Sequence, residues 1–192
     1  MSKLLTDTSK FLSYVLRHEP ESIGLSLDTE GWVGVDALIA AAAQHGRTLD
    51  RPLIEQVVTT SEKKRFALSG DGSSIRAVQG HSTDSVAISF EEKVPPAVLY
   101  HGTATRFLES IRAQGLLPGA RHHVHLSEDM QTAISVGQRY GKPVVLTIAA
   151  GAMHEQGFKF FQANNDVWLT ALVLPEFMSR TRQVATSSTA RS

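Results

Sequence analysis

The stretch KKRFALSGDGSSIRAVQGH (residues 63–81) constrains the fold most strongly, because it predicts a β-hairpin whose register can be read from the sequence. Two short runs flank Gly70-Asp71-Gly72, and this turn sequence supplies the positive backbone angles that tight hairpin loops require. Pairing about the turn places Arg65 roughly opposite residues 77–79, near the open end of the hairpin. The arginine therefore shares that end with a polar run formed by Gln79, Gly80, His81 and Ser82.

Three helices are predicted before the hairpin. Apolar residues recur at helical spacing in residues 4–16, and Pro20 ends this helix because a proline pushes the preceding residue out of the helical region. Residues 35–45 predict a second helix, and residues 51–61 predict a third with a proline in its first turn. Three helices followed by a two-stranded wing indicate a winged-helix lobe over residues 1–82. Such a lobe is either a packed scaffold or a module that docks on nucleic acid.

The chain changes character after this lobe. Residues 83–96 lose periodicity and end in a proline pair, so they predict a linker between two domains. A second lobe over residues 97–178 mixes strands with short helices, which predicts an α+β architecture. Its predicted elements are a strand at 97–104 that runs into a glycine turn at Gly102, a helix at 105–115, a strand at 122–127, a helix at 128–141, a strand at 143–150 and a hairpin around Asn164–Asp166. Residues 179–192 have too little apolar content to pack and are predicted to form a disordered tail.

Composition excludes several classes of protein. The 192 residues contain no cysteine, which excludes disulfide frameworks, thiolate metal sites and cysteine nucleophiles. No apolar run approaches the ~18 residues that span a bilayer, so we expect a cytoplasmic protein without membrane contact. The 19 basic and 19 acidic residues cancel, so any polyanion must be held by a few focused cations. Nothing in the sequence implies an obligate protein partner, and we expect a monomer.

Arg17 and His18 end the first predicted helix, just before Pro20. Cations at a helix C-terminus complement the helix dipole, and this structural explanation suffices for the pair taken alone. An arginine beside a glutamine and a histidine at the hairpin end has the outline of an anion pocket. Arg65 is equally compatible with an exposed edge charge next to Lys63 and Lys64, and the spacing leaves both interpretations open.

Two motifs in the second lobe carry polar side chains on or beside predicted strands. In YHGT (residues 100–103), the glycine lets the backbone approach a ligand, and the flanking histidine and threonine can hydrogen-bond a ribose or an amide. If RHHVHLS is a strand, then Arg121, His123 and His125 share one face and His122 lies on the other. A His-x-His pair can bind metal, but no cysteine or carboxylate nearby completes a tetrahedral set, so we expect no metal.

Taken in order, these motifs resemble those of the RNA 2′-phosphotransferase family, best known for removing a 2′-phosphate from spliced tRNA. The resemblance runs from about residue 8 to about residue 175, nearly the whole chain. The stretches that carry it are FLSYVLRHEPESIGL, KKRF, IRAVQGHS, LYHGT, RHHVHLS and NDVWLT. Its most specific parts are LRHEPE and IRAVQGHS, whereas HGT or HLS alone is common.

The resemblance implies a fold and a set of site residues. The fold is a winged-helix lobe joined to an ADP-ribosyltransferase-like lobe that binds NAD, the cofactor we expect. The family's catalytic set falls on Arg17, His18, Arg65 and Arg121. The positions that match NAD contacts are His101, Gly102, Thr103, His125, Leu126 and Ser127. The positions expected to contact the substrate RNA are Gln79, Gly80, His81 and Ser82.

The activity implied by the resemblance is a two-step, NAD-dependent removal of an internal 2′-phosphate from RNA. The phosphate attacks the nicotinamide-bearing ribose carbon and expels nicotinamide, and the resulting ADP-ribosylated RNA then releases ADP-ribose 1″,2″-cyclic phosphate. A phosphomonoester has a second pKa of about 6, so it is largely dianionic near neutral pH and needs no general base. We expect the three arginines to hold the phosphate and His18 to move a proton in the second step.

Two other functions stay open at this point. An ADP-ribosyltransferase that modifies proteins or terminal phosphates of nucleic acids would share the NAD-binding lobe but use a different acceptor pocket. A non-catalytic winged-helix regulator would bind duplex DNA with a steep dependence on salt, which the near-neutral first half of the chain disfavours.

Overall fold

The structure, a computed structural model, describes residues 2–181. Residues 2–82, which we call the N-terminal region, contain three α-helices and three short strands. These elements are α1 (Lys3–Arg17), β1 (Val33–Gly34), α2 (Val35–Gln44), α3 (Arg51–Thr60), β2 (Phe66–Leu68) and β3 (Ser74–Ala77), with a 3-10 turn at Pro20–Ile23. The three predicted helices and the predicted hairpin are confirmed.

Local sequence determines where these helices begin and end. The Ser2 and Asp50 side chains cap α1 and α3, because each accepts a hydrogen bond from a backbone N–H three residues later. Helix α1 ends at Arg17, and the chain turns into the 3-10 segment that starts at Pro20. The position of Arg17 and His18 at a helix end therefore follows from the sequence.

The three strands of this region form one antiparallel sheet in the order β1–β3–β2. Phe66 pairs with Ala77, and the N–H of Val78 donates to the carbonyl of Arg65 at 3.0 Å, which confirms the predicted register. Arg65 thus stands at the open end of the hairpin, beside the chain that continues into residues 79–82. The core between this sheet and the helices includes Leu12, Leu16, Leu38, Ile54 and Ile75, all fully buried.

Residues 97–181, which we call the C-terminal region, combine six strands with three α-helices. They are β4 (Leu99–Ala104), α4 (Leu108–Gln114), β5 (Val124–Leu126), α5 (Met130–Gly137), β6 (Pro143–Ile148), α6 (Ala150–Glu155), β7 (Phe160–Gln162), β8 (Trp168–Thr170) and β9 (Met178–Arg180). Short 3-10 turns lie at Thr105–Phe107, Gln138–Tyr140 and Pro175–Phe177. The separate helices and antiparallel sheets agree with the predicted α+β class.

Two antiparallel sheets build the C-terminal region, in the orders β4–β6–β9 and β5–β8–β7. They join where Tyr100 on β4 pairs with Ser127, just after β5, through backbone hydrogen bonds of 2.7 and 2.9 Å. This junction places His101 on β4 beside His125 on β5. The core of the region includes Leu99, Leu126, Ile148, Met153 and Phe160, each at most 2% exposed.

Gly102 lies inside β4, so the predicted glycine turn is wrong. The strand continues to Ala104 in register with β6. Helix α5 crosses β4 at this position, and a Cβ on Gly102 would overlap with the carbonyl oxygen of Ala133. The glycine therefore permits contact between the strand and the helix, rather than the chain reversal that the local sequence indicates.

Two further elements differ from the prediction. Helix α6 lies between β6 and β7, where the sequence predicts no helix. Strand β9 pairs with β6, and the N–H of Thr181 donates to the carbonyl of Val145 at 3.0 Å, so residues 179–181 are not a disordered tail. Pairing at a sheet edge uses backbone groups, and low apolar content does not prevent it. Residues 182–192 of the predicted tail lie outside the described residues.

Residues 83–96, which we call the connecting segment, contact both regions. Val86 is buried in the N-terminal core, and the N–H of Ala87 donates to the carbonyl of Thr29 at 2.8 Å. Further along, the N–H of Lys93 donates to the carbonyl of Phe160 at 2.9 Å. The predicted domain boundaries on either side of residues 83–96 stay a prediction. Within residues 2–181, no helix has the length and apolar character needed to cross a membrane.

Candidate active site

The end of helix α1 and the chain after the hairpin hold each other in place. The N–H of Ser82 donates to the carbonyl of Arg17 at 2.9 Å, which satisfies one of the carbonyls left free at a helix end. The Ser82 hydroxyl lies 2.8 Å from Nδ1 of His18. Ser82 therefore orients the His18 ring. The sequence predicts only that Ser82 contacts the substrate.

Arg17 and Arg65 come together beside this contact. The Nη2 atom of Arg17 donates to the carbonyl of Arg65 at 3.4 Å, and Nη1 of Arg65 donates to the Ser61 hydroxyl at 3.4 Å. Burial, together with the nearby charges of Arg121 and Arg65, lowers the pKa of Arg17 to about 10. Arg17 therefore keeps its charge near neutral pH although it is held among other cations.

Arg121 reaches the same place from the C-terminal region. Its Nη1 atom lies 3.0 Å from Nδ1 of His125. Gly80 lies between the two regions, since a Cβ on this residue would be 3.6 Å from Cε1 of His125 and 3.7 Å from Nη1 of Arg17. We call Arg17, Arg65 and Arg121 the arginine cluster. It collects residues from a helix end, a hairpin end and a loop before β5.

Within the part of the chain that the structure describes, no carboxylate forms an ion pair with the arginine cluster. Among residues 2–181, ion pairs within 4 Å join Arg51 to Asp36, Arg76 to Glu30 and Lys159 to Glu92. None of these pairs includes a member of the cluster. Three guanidinium groups without counterions produce a focused positive potential in a protein whose net charge is zero. This is the kind of site that a doubly charged anion fills.

His18 is the imidazole beside this charge. Burial lowers its pKa from the ordinary value, and the charges of Arg17 and Arg121 lower it further. His18 is therefore predominantly neutral near pH 7, in the form that accepts a proton. Because Nδ1 contacts Ser82, Nε2 is the atom left to exchange a proton with a ligand.

The histidines of the C-terminal region are also held neutral. Nδ1 of His101 contacts the carbonyl of His125 at 3.0 Å, and burial lowers the pKa of His101. Burial, with Arg121 and Arg17 nearby, lowers the pKa of His125 to about 3. The two rings thus form a neutral, partly buried surface beside the arginine cluster.

The other residues expected to contact NAD differ in the burial and hydrogen bonding of their side chains. Thr103 is buried next to His101 on β4. Leu126 is 2% exposed and packs into the C-terminal core, so its side chain does not face the cleft. The Ser127 hydroxyl is engaged with the backbone of Asp129 at the start of α5. Leu126 can therefore reach a ligand only through its backbone, and the assignment of Leu126 and Ser127 as NAD contacts stays a prediction.

The prediction that His122 faces the opposite side from Arg121, His123 and His125 is also wrong. Strand β5 starts only at Val124, so residues 121–123 do not follow a strand pattern. His122, His123 and His125 all line one cavity at the boundary between the regions, with a volume of about 260 Å³. We call this cavity the interface pocket. Its other walls are Gln79, Gly80, His81, Ala87, Ile88, Phe90 and Leu169.

Arg139 and Lys63 extend the positive site, and sequence reasoning assigned no role to them. Burial lowers the pKa of Arg65, and the charge of Arg139 lowers it further. The side-chain amide of Asn165 donates to the carbonyl of Lys63 at 3.3 Å, so the β7–β8 turn holds the chain that leads to Arg65. No local motif marks Arg139. It lies in the 3-10 turn that follows α5, and it comes near Arg65 only through the packing of the two regions.

Among residues 2–181, no group of three or more histidine, aspartate or glutamate side chains is placed to hold a metal ion.

The structure brings together the four residues expected to be catalytic, which are Arg17, His18, Arg65 and Arg121. The Ser82 hydroxyl contacts His18, and the neutral histidines His101 and His125 lie beside the cluster.

The chain is similar to known proteins over most of its length. A family model described as RNA 2′-phosphotransferase, Tpt1 / KptA family, matches residues 3–172. The chain is 64% identical over 168 residues to the "Probable RNA 2′-phosphotransferase" of Pseudomonas fluorescens, which covers 88% of this chain and 92% of that protein. It is 64% identical over 176 residues to the protein of the same description in Pseudomonas aeruginosa, with coverages of 92% and 97%. The corresponding protein of Escherichia coli is 60% identical over 176 residues, with coverages of 92% and 91%.

Proposed function

The chain belongs to the RNA 2′-phosphotransferase, Tpt1 / KptA family, and from this premise we propose that it transfers an internal 2′-phosphate from RNA to NAD. The products are RNA with a free 2′-hydroxyl, nicotinamide and ADP-ribose 1″,2″-cyclic phosphate. The observation that carries this proposal is the arginine cluster, in which three cations from separate elements meet beside a neutral imidazole and none of them forms an ion pair within the described residues.

The histidine-lined side of the cleft fits NAD. His101 donates its Nδ1–H to the His125 carbonyl, which leaves Nε2 of the neutral ring to accept a hydrogen bond from a ribose hydroxyl or an amide N–H. Thr103 lies two residues further along the strand. When bound, NAD supplies a ribose carbon that bears nicotinamide as its leaving group. Within residues 2–181 no carboxylate forms an ion pair with these arginines, which fits an acceptor that is already anionic, since a dianionic phosphate needs no base to activate it.

In the first step, the arginine cluster orients the phosphate. One phosphate oxygen bonds to the ribose carbon, and the bond from that carbon to nicotinamide breaks with its electron pair on nitrogen. Arg17, Arg65 and Arg121 hold the other phosphate oxygens and restrict the direction of attack. The binding of a dianion also offsets the mutual repulsion of the three guanidinium groups.

In the second step, His18 moves one proton. The neighbouring ribose hydroxyl gives its proton to neutral His18, and its oxygen bonds to phosphorus. The bond from phosphorus to the RNA 2′-oxygen breaks, and that oxygen takes the proton back from His18. The arginine cluster stabilises the charge that accumulates on the phosphoryl oxygens, where one well-placed donor contributes ~3 kcal/mol. Nothing in these steps calls for a metal ion.

We further propose that the two regions correspond to a winged-helix module and an ADP-ribosyltransferase-like module. Support for the first is the packing of three helices on a hairpin, whose open end carries Arg65. Support for the second is the pair of antiparallel sheets that meet at His101 and His125. In this arrangement the first module binds RNA and the second binds NAD.

An RNA oligonucleotide with one internal 2′-phosphate tests the proposal when it is incubated with the protein in the presence and absence of NAD. We expect the RNA to lose its phosphate and nicotinamide to be released only when NAD is present. Chromatography and mass spectrometry measure both products. ADP-ribose that stays on a protein or on a terminal phosphate would instead support an ADP-ribosyltransferase with another acceptor. Tight binding of duplex DNA without turnover would support a non-catalytic regulator.

A further inference from the structure

The interface pocket is built by all three parts of the chain and adjoins the arginine cluster. Gln79, Gly80 and His81 come from the N-terminal region, Phe90 and its neighbours from the connecting segment, and His125 from β5. Gly80 separates the pocket from Arg17, because a Cβ on this glycine would lie 3.7 Å from Nη1 of that arginine. A group attached to a phosphate at Arg17 therefore enters this pocket directly.

The apolar walls of the pocket suit a flat ring. The Phe90 and His123 rings meet edge to face with centroids 6.1 Å apart, and His123 meets Phe161 in the same way at 5.8 Å. Leu169 is 1% exposed and closes the pocket from the β8 side, together with Ile88. Aromatic and aliphatic surfaces at this spacing hold a planar heteroaromatic ring by stacking and dispersion.

Two polar atoms in the pocket walls have no partner. Oε1 of Gln79 and Nε2 of His81 are both buried, and neither makes a hydrogen bond within the described residues. His81 is only 4% exposed, and burial lowers its pKa to about 4, so its ring is neutral near pH 7. Buried polar atoms are nearly always paired in native proteins. Nε2 of His81 lies against Gly31, since a Cβ on that glycine would be 3.1 Å from it, so these buried atoms lie behind the pocket surface and do not select its ligand.

The size and position of the pocket narrow the ligand class further. Its volume of about 260 Å³ lies below the usual range for whole small molecules, and a single base is the matching part of a nucleotide. Of the residues expected at NAD, only His125 lines the pocket, whereas Gln79, Gly80 and His81, which are expected at the RNA, all do, and this favours the RNA over either ring of NAD. The remaining candidate is a base of the RNA.

We propose that the interface pocket binds the base of the nucleotide that carries the 2′-phosphate. This inference rests on the proposed function and adds a subsite to it. The base is held by stacking and dispersion against the pocket walls, so the larger ring of adenine binds better than that of uracil. The enzyme thus recognises the phosphorylated nucleotide through both its phosphate and its base.

The test compares short RNAs that carry the 2′-phosphate on adenosine, cytidine, uridine or an abasic ribose. We expect kcat/KM to fall about tenfold from the adenosine to the abasic substrate, since stacking of a base contributes on this scale. Phe90→Ala should lower kcat/KM for the adenosine substrate about tenfold and leave the abasic substrate unchanged. Phe90→Ala should also reduce the preference for adenosine over uridine. Phe107→Ala, at an aromatic residue outside the pocket that is 37% exposed, is the matched control and should change neither ratio.

Several outcomes would overturn the pocket assignment. Equal kcat/KM for adenosine and abasic substrates would do so, and so would a Phe90→Ala variant that slows both substrates equally. A Phe90→Ala variant that weakens inhibition by free nicotinamide without changing the base preference would place nicotinamide in the pocket instead. If no substrate turns over with NAD, the proposed function fails, but fluorescence anisotropy with the same RNAs in the absence of NAD still tests the pocket by the ratio of adenosine to abasic affinity.

Discussion

The two sides of the cleft treat charge in opposite ways. On one side, Arg17, Arg65 and Arg121 have no counterion within the described residues, and Arg17 keeps its positive charge near neutral pH because its pKa is about 10. On the other side, His101 and His125 are held neutral by burial and by the cations that face them. A guanidinium tolerates partial burial because its pKa starts far above neutral, whereas an imidazole loses its proton under the same conditions. The same surroundings thus make one side suited to an anion and the other to uncharged groups.

The two sides also differ in how the chain holds them. The arginines and His18 stand at ends of elements, where backbone groups such as the Arg17 carbonyl bind side chains and loops from elsewhere. His101 and His125 lie within strands whose register is defined by the surrounding sheets. We therefore expect substitutions on the arginine side to affect catalysis, and substitutions under the histidine side to affect folding as well.

The largest effect is expected from Arg65→Ala. Loss of one guanidinium donor should lower kcat/KM about 10³-fold, because the phosphate takes part in both steps. The measurement is single-turnover kinetics on a 2′-phosphorylated oligonucleotide, with thermal unfolding as a check on the fold. Arg112→Ala, on α4, is the control. Turnover by Arg65→Ala within threefold of the unmodified enzyme would remove this arginine from the site.

His18→Ala should slow the second step about 10²-fold or more and leave the first step nearly intact. ADP-ribosylated RNA should then accumulate, which gel electrophoresis of labelled RNA can detect. The arginine variant should show no such accumulation, so the pair separates charge from proton transfer. Equal slowing of both steps by His18→Ala would contradict this division of roles.

Gly102→Ala tests the histidine side. Because the new methyl group would overlap with the Ala133 carbonyl of α5, we expect a loss of about 3 kcal/mol in the free energy of unfolding, measured by urea denaturation. Gly70→Ala, at a turn where an added Cβ meets nothing within 4 Å, is the matched control and should change stability little. If Gly102→Ala lowered NAD binding without any loss of stability, the glycine would serve the ligand rather than the packing.

The smallest effect concerns His81 and pH. Its pKa of about 4 in the folded protein lies below the ordinary 6.5, so the unfolded chain takes up a proton first as the pH falls. Stability should decrease between pH 6.5 and 4 and flatten with respect to this group below that range. His81→Asn should reduce the slope by up to about 1.4 kcal/mol per pH unit. An unchanged slope in His81→Asn would contradict the assignment.

Local patterns were sufficient for the elements whose ends are written in nearby residues. Pro20 marks the end of α1, Gly70–Gly72 marks the hairpin turn, and the resulting register places Arg65 opposite Val78. Where a long-range contact decides, the same kind of reasoning failed. The local sequence at Gly102 indicates a turn, but the glycine instead allows α5 to pack closely against β4. Strand β9 forms because it pairs with the edge of β6.

By itself, the sequence determined the helix end that presents Arg17 and His18, the hairpin end that presents Arg65, and a motif order that matches one family along nearly the whole chain. Only the tertiary structure decided that Arg121 meets them, that Ser82 orients His18, that Leu126 turns into the core and that Arg139 stands nearby. Caps, turns and helical faces depend on residues a few positions apart, so they can be read along the chain. Convergence of charges from three elements depends on how two cores pack, and no local pattern encodes that distance.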